Sequence, residues 1–582
     1  MGKHYTSERN VQIVIALMKA HGIRYVVASP GTTNVTLVGS LQQDSFFKIF
    51  SSVDERSAAY IACGIAAETG EPVALSCTGA TASRNYMPGL TEAFYRKLPI
   101  LAITSTQHIG RIGNMVPQVI DRTSLPNDIA KLSVYLPSIH CEEDEWDCTL
   151  KANRAMLELR HNGNGPVHIN LMTTYSQDFS VTELPPVRVI HRYNKNDQLP
   201  AINQLRVGIF VGSHVKWAKE LTEAVDKFCE KYNAAVFCDH TSNYNGKYKV
   251  AFSLACFQIS GGFSKYRPDL LIHIGEISAD YYSVAIGCKV NVWRVSPDGK
   301  ICDYFKGLTD VFEMEELEFF KNYARLSEED KGTGYYSSCM KYKADISSKI
   351  PELPFSNLWI AAQIAGKLPK NAVLHLGILN SMRSWSFFDI PQSICGYTCA
   401  GGFGIDGGVS TMIGASIVAP EKLFYGVFGD LAFFYDLNSL GNRHVGNNLR
   451  ILLVNNGRGT EFRNYNHPAA RFGEDADAYM AAAGHYGNQS RDLIRHYSED
   501  LGFTYLSAST KEEFMAKVPE FLAEKHASKS IVFEVFTDSQ NENDALKTLS
   551  GIEKNTVSVT KNIVKKVIGQ EGVYHLRKLL NK

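Results

Sequence analysis

The sequence predicts an α/β protein: three consecutive doubly wound parallel-sheet domains followed by a helical C-terminal tail. Three observations predict it. Short apolar strands alternate with helix-like segments along most of the chain, the pattern of parallel sheets covered on both faces. A polar, proline-marked stretch near 184–203 and a charged, helical connector near 313–342 interrupt that alternation twice. The 582 residues suit three or four domains at roughly 100–200 residues each.

The elements follow in order. In a first block, 1–185, Arg24-Tyr25-Val26-Val27-Ala28 is a β run closed by the turn signal Ser29-Pro30-Gly31. A helix is expected over 58–67, then strands at 72–76, 99–104 and 166–171. The acidic run Glu142-Glu143-Asp144-Glu145 suits the start of a helix, where carboxylates meet the positive end of the dipole. A second block, 186–345, carries strands at 207–212, 269–275 and 290–295. A third, 346–545, carries them at 373–377, 423–429, 449–454 and 530–535. The tail, 546–582, holds eight Lys/Arg against two Glu, with apolar residues such as Ile563, Val567 and Leu576 spaced for short amphipathic helices. Its expected role is docking on the protein's own surface or on a sister subunit.

Composition excludes several classes. Sixty basic and sixty acidic residues give no net charge, unlike a protein that wraps a polyanion. The N-terminus lacks an apolar core of signal-peptide length, and no apolar run is long enough to span a bilayer. Twelve cysteines show no Cys-x-x-Cys spacing, so reduced thiols in a cytoplasmic protein are expected, with no nucleic-acid or membrane partner.

The third block carries the strongest chemical signal. A strand ending at Gly429 leads into Gly429-Asp430-Leu431-Ala432, with a crossover helix expected over 434–442. The next strand ends in Asn455-Asn456-Gly457-Arg458-Gly459. A right-handed crossover puts both motifs at the carboxyl edge of one sheet, where such folds bind ligands. Asp430 and Asn456 offer hard oxygens that suit Mg²⁺ shared with a diphosphate, and Gly429 leaves room for close approach.

These residues resemble the Gly-Asp-…-Asn-Asn fingerprint of the thiamine-diphosphate-dependent 2-oxo acid decarboxylase and carboligase family, the acetolactate synthase and pyruvate decarboxylase superfamily. The resemblance implies a pyrimidine-binding, a central and a diphosphate-binding domain in that order. It implies Asp430, Asn456 and the backbone oxygen of Arg458 as Mg²⁺ ligands. It also implies Glu55 as the carboxyl that hydrogen-bonds the cofactor's aminopyrimidine, with the Thr78-Gly79 turn beside it. Ile405, in Gly404-Ile405-Asp406-Gly407, matches the bulky residue that bends the cofactor, and Asn380-Ser381 falls where the family contacts the diphosphate, as does Gly459. Gln118 and Glu461 match polar residues facing the reacting centre, Glu461 as a proton donor or a polar lining residue. Arg383 and Arg463 are candidates for a substrate carboxylate or phosphate.

The activity implied is decarboxylation of a 2-oxo acid with transfer of the acyl carbanion to an acceptor, in the manner of acetolactate synthase. Alternatives are simple decarboxylation to an aldehyde, the menaquinone-pathway reaction and a non-catalytic subunit of the same fold. The wording of several motifs is closest to that menaquinone-pathway branch, which joins a succinyl unit from 2-oxoglutarate to isochorismate. The departures lie at its substrate arginines: Thr32-Thr33-Asn34, Ala400 and Asp280-Tyr281-Tyr282 stand where basic residues are expected. Loss of arginine removes bidentate recognition of a carboxylate. The resemblance further implies a homodimer or homotetramer, with each site between subunits.

Overall fold

The computed structural model describes residues 4–326, 331–485, 489–524 and 528–553. The basic tail beyond 553, with its expected helices, lies outside the described residues.

Three sheets account for the strands. The first contains β1 (Tyr25–Ala28), β2 (Lys48–Ser51), β3 (Val73–Cys77), β4 (Ile100–Thr106), β5 (Ser133–Leu136) and β6 (Val167–Met172). The second contains β7 (His191–Asn194), β8 (Val207–Val211), β9 (Ala234–Cys238), β10 (Lys249–Val250), β11 (Leu270–Ile274), β12 (Asn291–Val295) and β13 (Leu308–Glu313). The third contains β14 (Val373–Leu376), β15 (Cys395–Tyr397), β16 (Phe424–Gly429), β17 (Leu449–Asn455), β18 (Thr504–Ala508) and β19 (Ile531–Phe536).

The first sheet is ordered β2-β1-β3-β4-β6-β5 and the third β15-β14-β16-β17-β19-β18. Counted within each sheet, the two orders are the same. All pairings in both are parallel. The second sheet runs β10-β9-β8-β11-β12-β13-β7.

Central strands are apolar along their whole length because both faces are covered. In β17, Leu449, Ile451, Leu452 and Leu453 are fully buried, as are Ile100, Leu101 and Ala102 in β4. Each large aliphatic side chain so buried contributes roughly 1.5–3 kcal/mol. The helices begin where capping residues stand. Ser356 accepts from the Trp359 amide ahead of the helix Asn357–Ile364, and Asp54 accepts from the Arg56 amide ahead of Glu55–Thr69. The acidic run opens the helix Glu142–Glu158, with the Asp144 carboxylate turned back to the Cys141 amide.

By packing, the chain divides into two compact units. The first takes in the chain up to Arg192 together with Ile301–Val311; the second takes in Tyr193–Lys300 and the described chain from Phe312 on. The proline-marked stretch after residue 184 contains a short strand, β7.

Two expectations need correction. The crossover after β16 is a helix over Asp430–Tyr435 and a 3-10 turn over Leu437–Gly441, starting at the motif itself rather than beyond it. The packed body also runs past residue 545. The helix Ser539–Ser550 buries Leu546 and Leu549, which had been assigned to the tail. All twelve cysteines are free thiols. No helix among the described residues is long and apolar enough to cross a membrane.

Candidate functional site

A cavity of about 120 Å³ opens at the carboxyl edge of the third sheet. Three strands feed it. Gly377 and Leu379-Asn380-Ser381 follow β14, Gly429-Asp430-Leu431-Ala432 end β16, and Asn456 with Arg458-Gly459-Thr460-Glu461-Phe462 follows β17. Ile405 reaches it from the loop before the helix Gly408–Val418, and Asn357 from the start of its own helix. Gly404 adjoins Ile405 along the chain but is not one of the walls.

The two motifs are arranged for different tasks. At the end of β17 the paired asparagines divide their work. Asn455 Nδ2 donates to Glu534 at 2.8 Å and its side-chain Oδ1 takes the Gly457 amide at 3.2 Å, which fixes the turn. Asn456 Oδ1 is buried and has no hydrogen-bond partner among the described residues. Such an oxygen carries a desolvation cost of about 1–3 kcal/mol until a cation or donor meets it. Asp430 is buried, with Oδ1 taking the Leu431 amide at 2.9 Å. A Cβ on Gly429 would meet nothing within 4 Å, so its backbone borders open space. Gly457, at φ +80°, makes the turn that a side chain would strain.

The arginines are already engaged. Arg383, expected as a substrate ligand, donates through Nη2 to both oxygens of Glu461 at 2.6 and 2.7 Å. Burial disfavours its cation, yet the Glu461 charge more than offsets this and raises its pKa. Glu461 also accepts from Asn464 at 3.2 Å. Both oxygens of Glu461 thus accept hydrogen bonds at the cavity wall. Arg463 is tied to Asp477 at 3.1 Å and to the Gly473 carbonyl at 2.5 Å. The Arg458 side chain turns to Asp477 at 2.6 Å. Both arginines share the Asp477 carboxylate through Nη1.

In the first unit, Glu55 is the first residue of its helix and half-buried. The Cys77 thiol is pushed up to about 12, chiefly by burial, with the Glu55 charge among the smaller causes. Thr78 Oγ1 and Thr33 Oγ1 are 2.6 Å apart. A Cβ on Gly79 would lie 3.0 Å from the Gln118 carbonyl oxygen, so turn and Gln118 segment pack closely. Gln118 is exposed and held at φ +62°, a left-handed conformation that costs of order 1–3 kcal/mol in a non-glycine residue and is found at functional sites.

Residues 9–125 match the family model of the thiamine pyrophosphate enzyme, N-terminal TPP binding domain. The chain is 31% identical over 560 residues to a 2-succinyl-5-enolpyruvyl-6-hydroxy-3-cyclohexene-1-carboxylate synthase of Bacteroides fragilis, covering 93% of this chain and 98% of that protein. This chain belongs to the thiamine-diphosphate enzyme family. Synthases of the same name from Phocaeicola vulgatus, 31% identical over 559 residues, and Desulfotalea psychrophila, 28% over 548, cover 93% and 89% of this chain and 98% and 96% of their own.

Membership makes the protein an enzyme acting on carbon–carbon bonds with thiamine diphosphate and Mg²⁺. The residues present fit that pair. The unpartnered Asn456 oxygen, the Asp430 carboxylate and the open backbone at Gly429 form the oxygen-rich cradle that a hard cation and a diphosphate require. Among the described residues no group of three or more His, Cys, Asp or Glu could hold a metal, and this set offers one carboxylate with an amide and backbone. Asn357, Leu379, Thr460 and Phe462 line the cavity without having been foreseen. Leu379, at φ +61°, is the only one with a conformational signature, and no sequence motif marks it.

Proposed function

We propose that this protein decarboxylates a 2-oxo acid and joins the remaining acyl unit to an acceptor. It would be a carboligase of the kind its relatives are named for, rather than an acetolactate-synthase-like enzyme. Similarity over nearly the whole of both chains supports that choice. The observation that carries the mechanism is the cavity that gathers Asp430, Gly429 and Asn456, whose buried Oδ1 has no partner among the described residues.

When bound, thiamine diphosphate supplies a carbon nucleophile and an electron sink. Asp430, Asn456 and the Arg458 carbonyl would hold Mg²⁺ at its diphosphate, with Asn380, Ser381, Leu431, Ala432 and Gly459 around it. Ile405 would press on its bend. Glu55 would hold the proton it shares with the aminopyrimidine, beside Thr78 and Gly79. Gln118 would touch the reacting substrate, and Glu461, fixed by Arg383, would present a polar wall. A homodimer or homotetramer in the cytoplasm completes the reading.

A second reading keeps the chemistry and changes the acceptor, and a specific observation favours it. Asp280 is buried and accepts from Ser253, Tyr282 and Ser283, so this segment offers no cation. Beside it Tyr281 packs edge-on against Phe403 at 6.0 Å, an aromatic pair that suits a less acidic substrate. Purified protein with thiamine diphosphate and Mg²⁺ should be offered 2-oxoglutarate, pyruvate and other 2-oxo acids, with and without isochorismate. A product equal to donor minus CO₂ plus acceptor supports the proposal. Aldehyde alone, with every acceptor tried, contradicts it.

A further inference from the structure

The first unit contains a second cavity, of about 190 Å³, walled by its own sheet and helices. Ala102 and Thr104 of β4 and His168 of β6 form one side, and Arg84, Asp121 and Arg122 close the other. Arg122 is only 3% exposed. Of its five N–H donors, one reaches an acceptor: Nη2 donates to the Ser105 carbonyl at 3.1 Å. Nε and Nη1 are buried without partners, and no carboxylate pairs with this guanidinium among the described residues. Burial pulls its pKa down to about 10, which still leaves it charged at neutral pH.

The neutral walls are also incompletely used. His168 is 1% exposed; Nε2 lies 2.8 Å from Thr104 Oγ1, and Nδ1 has no partner among the described residues. Burial and then the Arg122 charge push this histidine down to about 3, so it is uncharged. At the rim, exposed Arg84 adds a positive charge, and exposed Asp121 is occupied by the Thr123 amide and hydroxyl at 3.0 and 2.7 Å. The cavity thus sets a buried cation with unused donors beside apolar walls that include Met87 and Leu90. A buried cation with no counter-charge is costly. The volume exceeds that of a single water, whose share of the liquid is roughly 30 Å³.

We propose that this cavity binds a small anion bearing a carboxylate or phosphate group, held end-on by Nη1 and Nη2 of Arg122, with His168 and Thr104 as neutral hydrogen-bonding walls. The cavity belongs to the first unit and the diphosphate cradle to the second, and its binding does not depend on the proposed reaction. Its occupant also has a structural lever. Arg122 follows Gln118 by four residues, and a Cβ on Gly79 would lie 3.2 Å from Arg122 Nη2 as well as against the Gln118 carbonyl. An anion in the cavity would thus tie down the segment that presents Gln118.

The test titrates malonate, acetate and inorganic phosphate at fixed ionic strength into full-length protein saturated with thiamine diphosphate and Mg²⁺. Calorimetry on the wild type should show saturable binding of at least one of them. Binding of malonate or acetate alone assigns a carboxylate, and binding of phosphate alone a phosphate. Arg122→Met should weaken binding at least tenfold. Ala102→Val keeps the guanidinium and fills the cavity, and should weaken it similarly, which carries the test if Arg122→Met folds poorly. No saturable heat with any probe, or unchanged affinity in both variants, would overturn the proposal and leave water as the occupant.

Discussion

The first and third sheets share one strand order, yet their carboxyl edges carry opposite chemistry. In each, the first strand ends near a glycine packed against the third. A Cβ on Gly31 would collide with Thr78 at 2.7 Å, and one on Gly377 would lie 3.4 Å from the Val427 oxygen. In each, the turns after the third and fourth strands carry the candidate residues: Thr78-Gly79 and Gln118 in the first, Asp430 and Asn456 in the third. The third edge offers anionic and amide oxygens and so suits a cation with its diphosphate. The first edge has a half-buried carboxyl side chain, Glu55, and the buried guanidinium of Arg122. One strand order thus carries two kinds of edge, and the residues that follow its strands decide which.

The sharpest way to break this comparison is at Glu55. Glu55→Gln keeps the helix and removes the proton, so turnover should fall by about 10²–10⁴-fold with the fold intact. Circular dichroism and steady-state rates check both halves, and wild-type turnover would sink the assignment. A smaller effect is expected at Arg383. Arg383→Met strands the Glu461 carboxylate in the cavity wall and should cost about 3 kcal/mol of stability in denaturant unfolding. Adding Glu461→Leu should recover most of that loss; if it does not, the pair is not what holds the two side chains there.

Next comes a pH effect confined to the third sheet's surroundings. Burial pushes the Glu542 carboxyl up from 4.5 to about 7, while it accepts from the Asn357 amide and the Thr537 hydroxyl. Its folded value lies above its unfolded one. Its contribution is therefore complete below pH 4.5 and is lost as pH rises through 7, on the order of 3 kcal/mol. Unfolding of wild type and Glu542→Gln at pH 5 and 8 should show a difference that grows in the variant's favour at pH 8. A constant difference contradicts the shift. The smallest effect belongs to Ser356→Ala, which removes the cap of the Asn357 helix and should cost about 1 kcal/mol with activity retained.

The central strands were legible because both faces are buried and the sequence is apolar throughout, as in Leu449-Arg450-Ile451-Leu452-Leu453-Val454. Edge strands were not. β2, Lys48-Ile49-Phe50-Ser51, and β7, His191-Arg192-Tyr193-Asn194, are mostly exposed or half-buried and lack that signature. The Asp430 and Asn456 motifs were legible because turn residues that follow buried strands stand out. The Arg383–Glu461 pair was not, since the two side chains are far apart in sequence and meet only through the fold. Arg122 carried no signal either: nothing in its neighbourhood distinguishes a buried arginine from an exposed one. The missing arginines at 32–34, 280–282 and 400 pointed away from the reaction for which the relatives are named, whereas the similarity spans the whole length. Substrate preference rests on a few side chains, while family rests on the entire fold.

The central claim is that the third sheet's edge grips the diphosphate through Mg²⁺. Calorimetric titration of thiamine diphosphate into the wild type, with and without Mg²⁺, tests it directly against Asp430→Ala and Asn456→Ala. Binding in the wild type should depend on Mg²⁺ and fall at least tenfold in each variant. Mg²⁺-dependent binding that survives unchanged in both would contradict it.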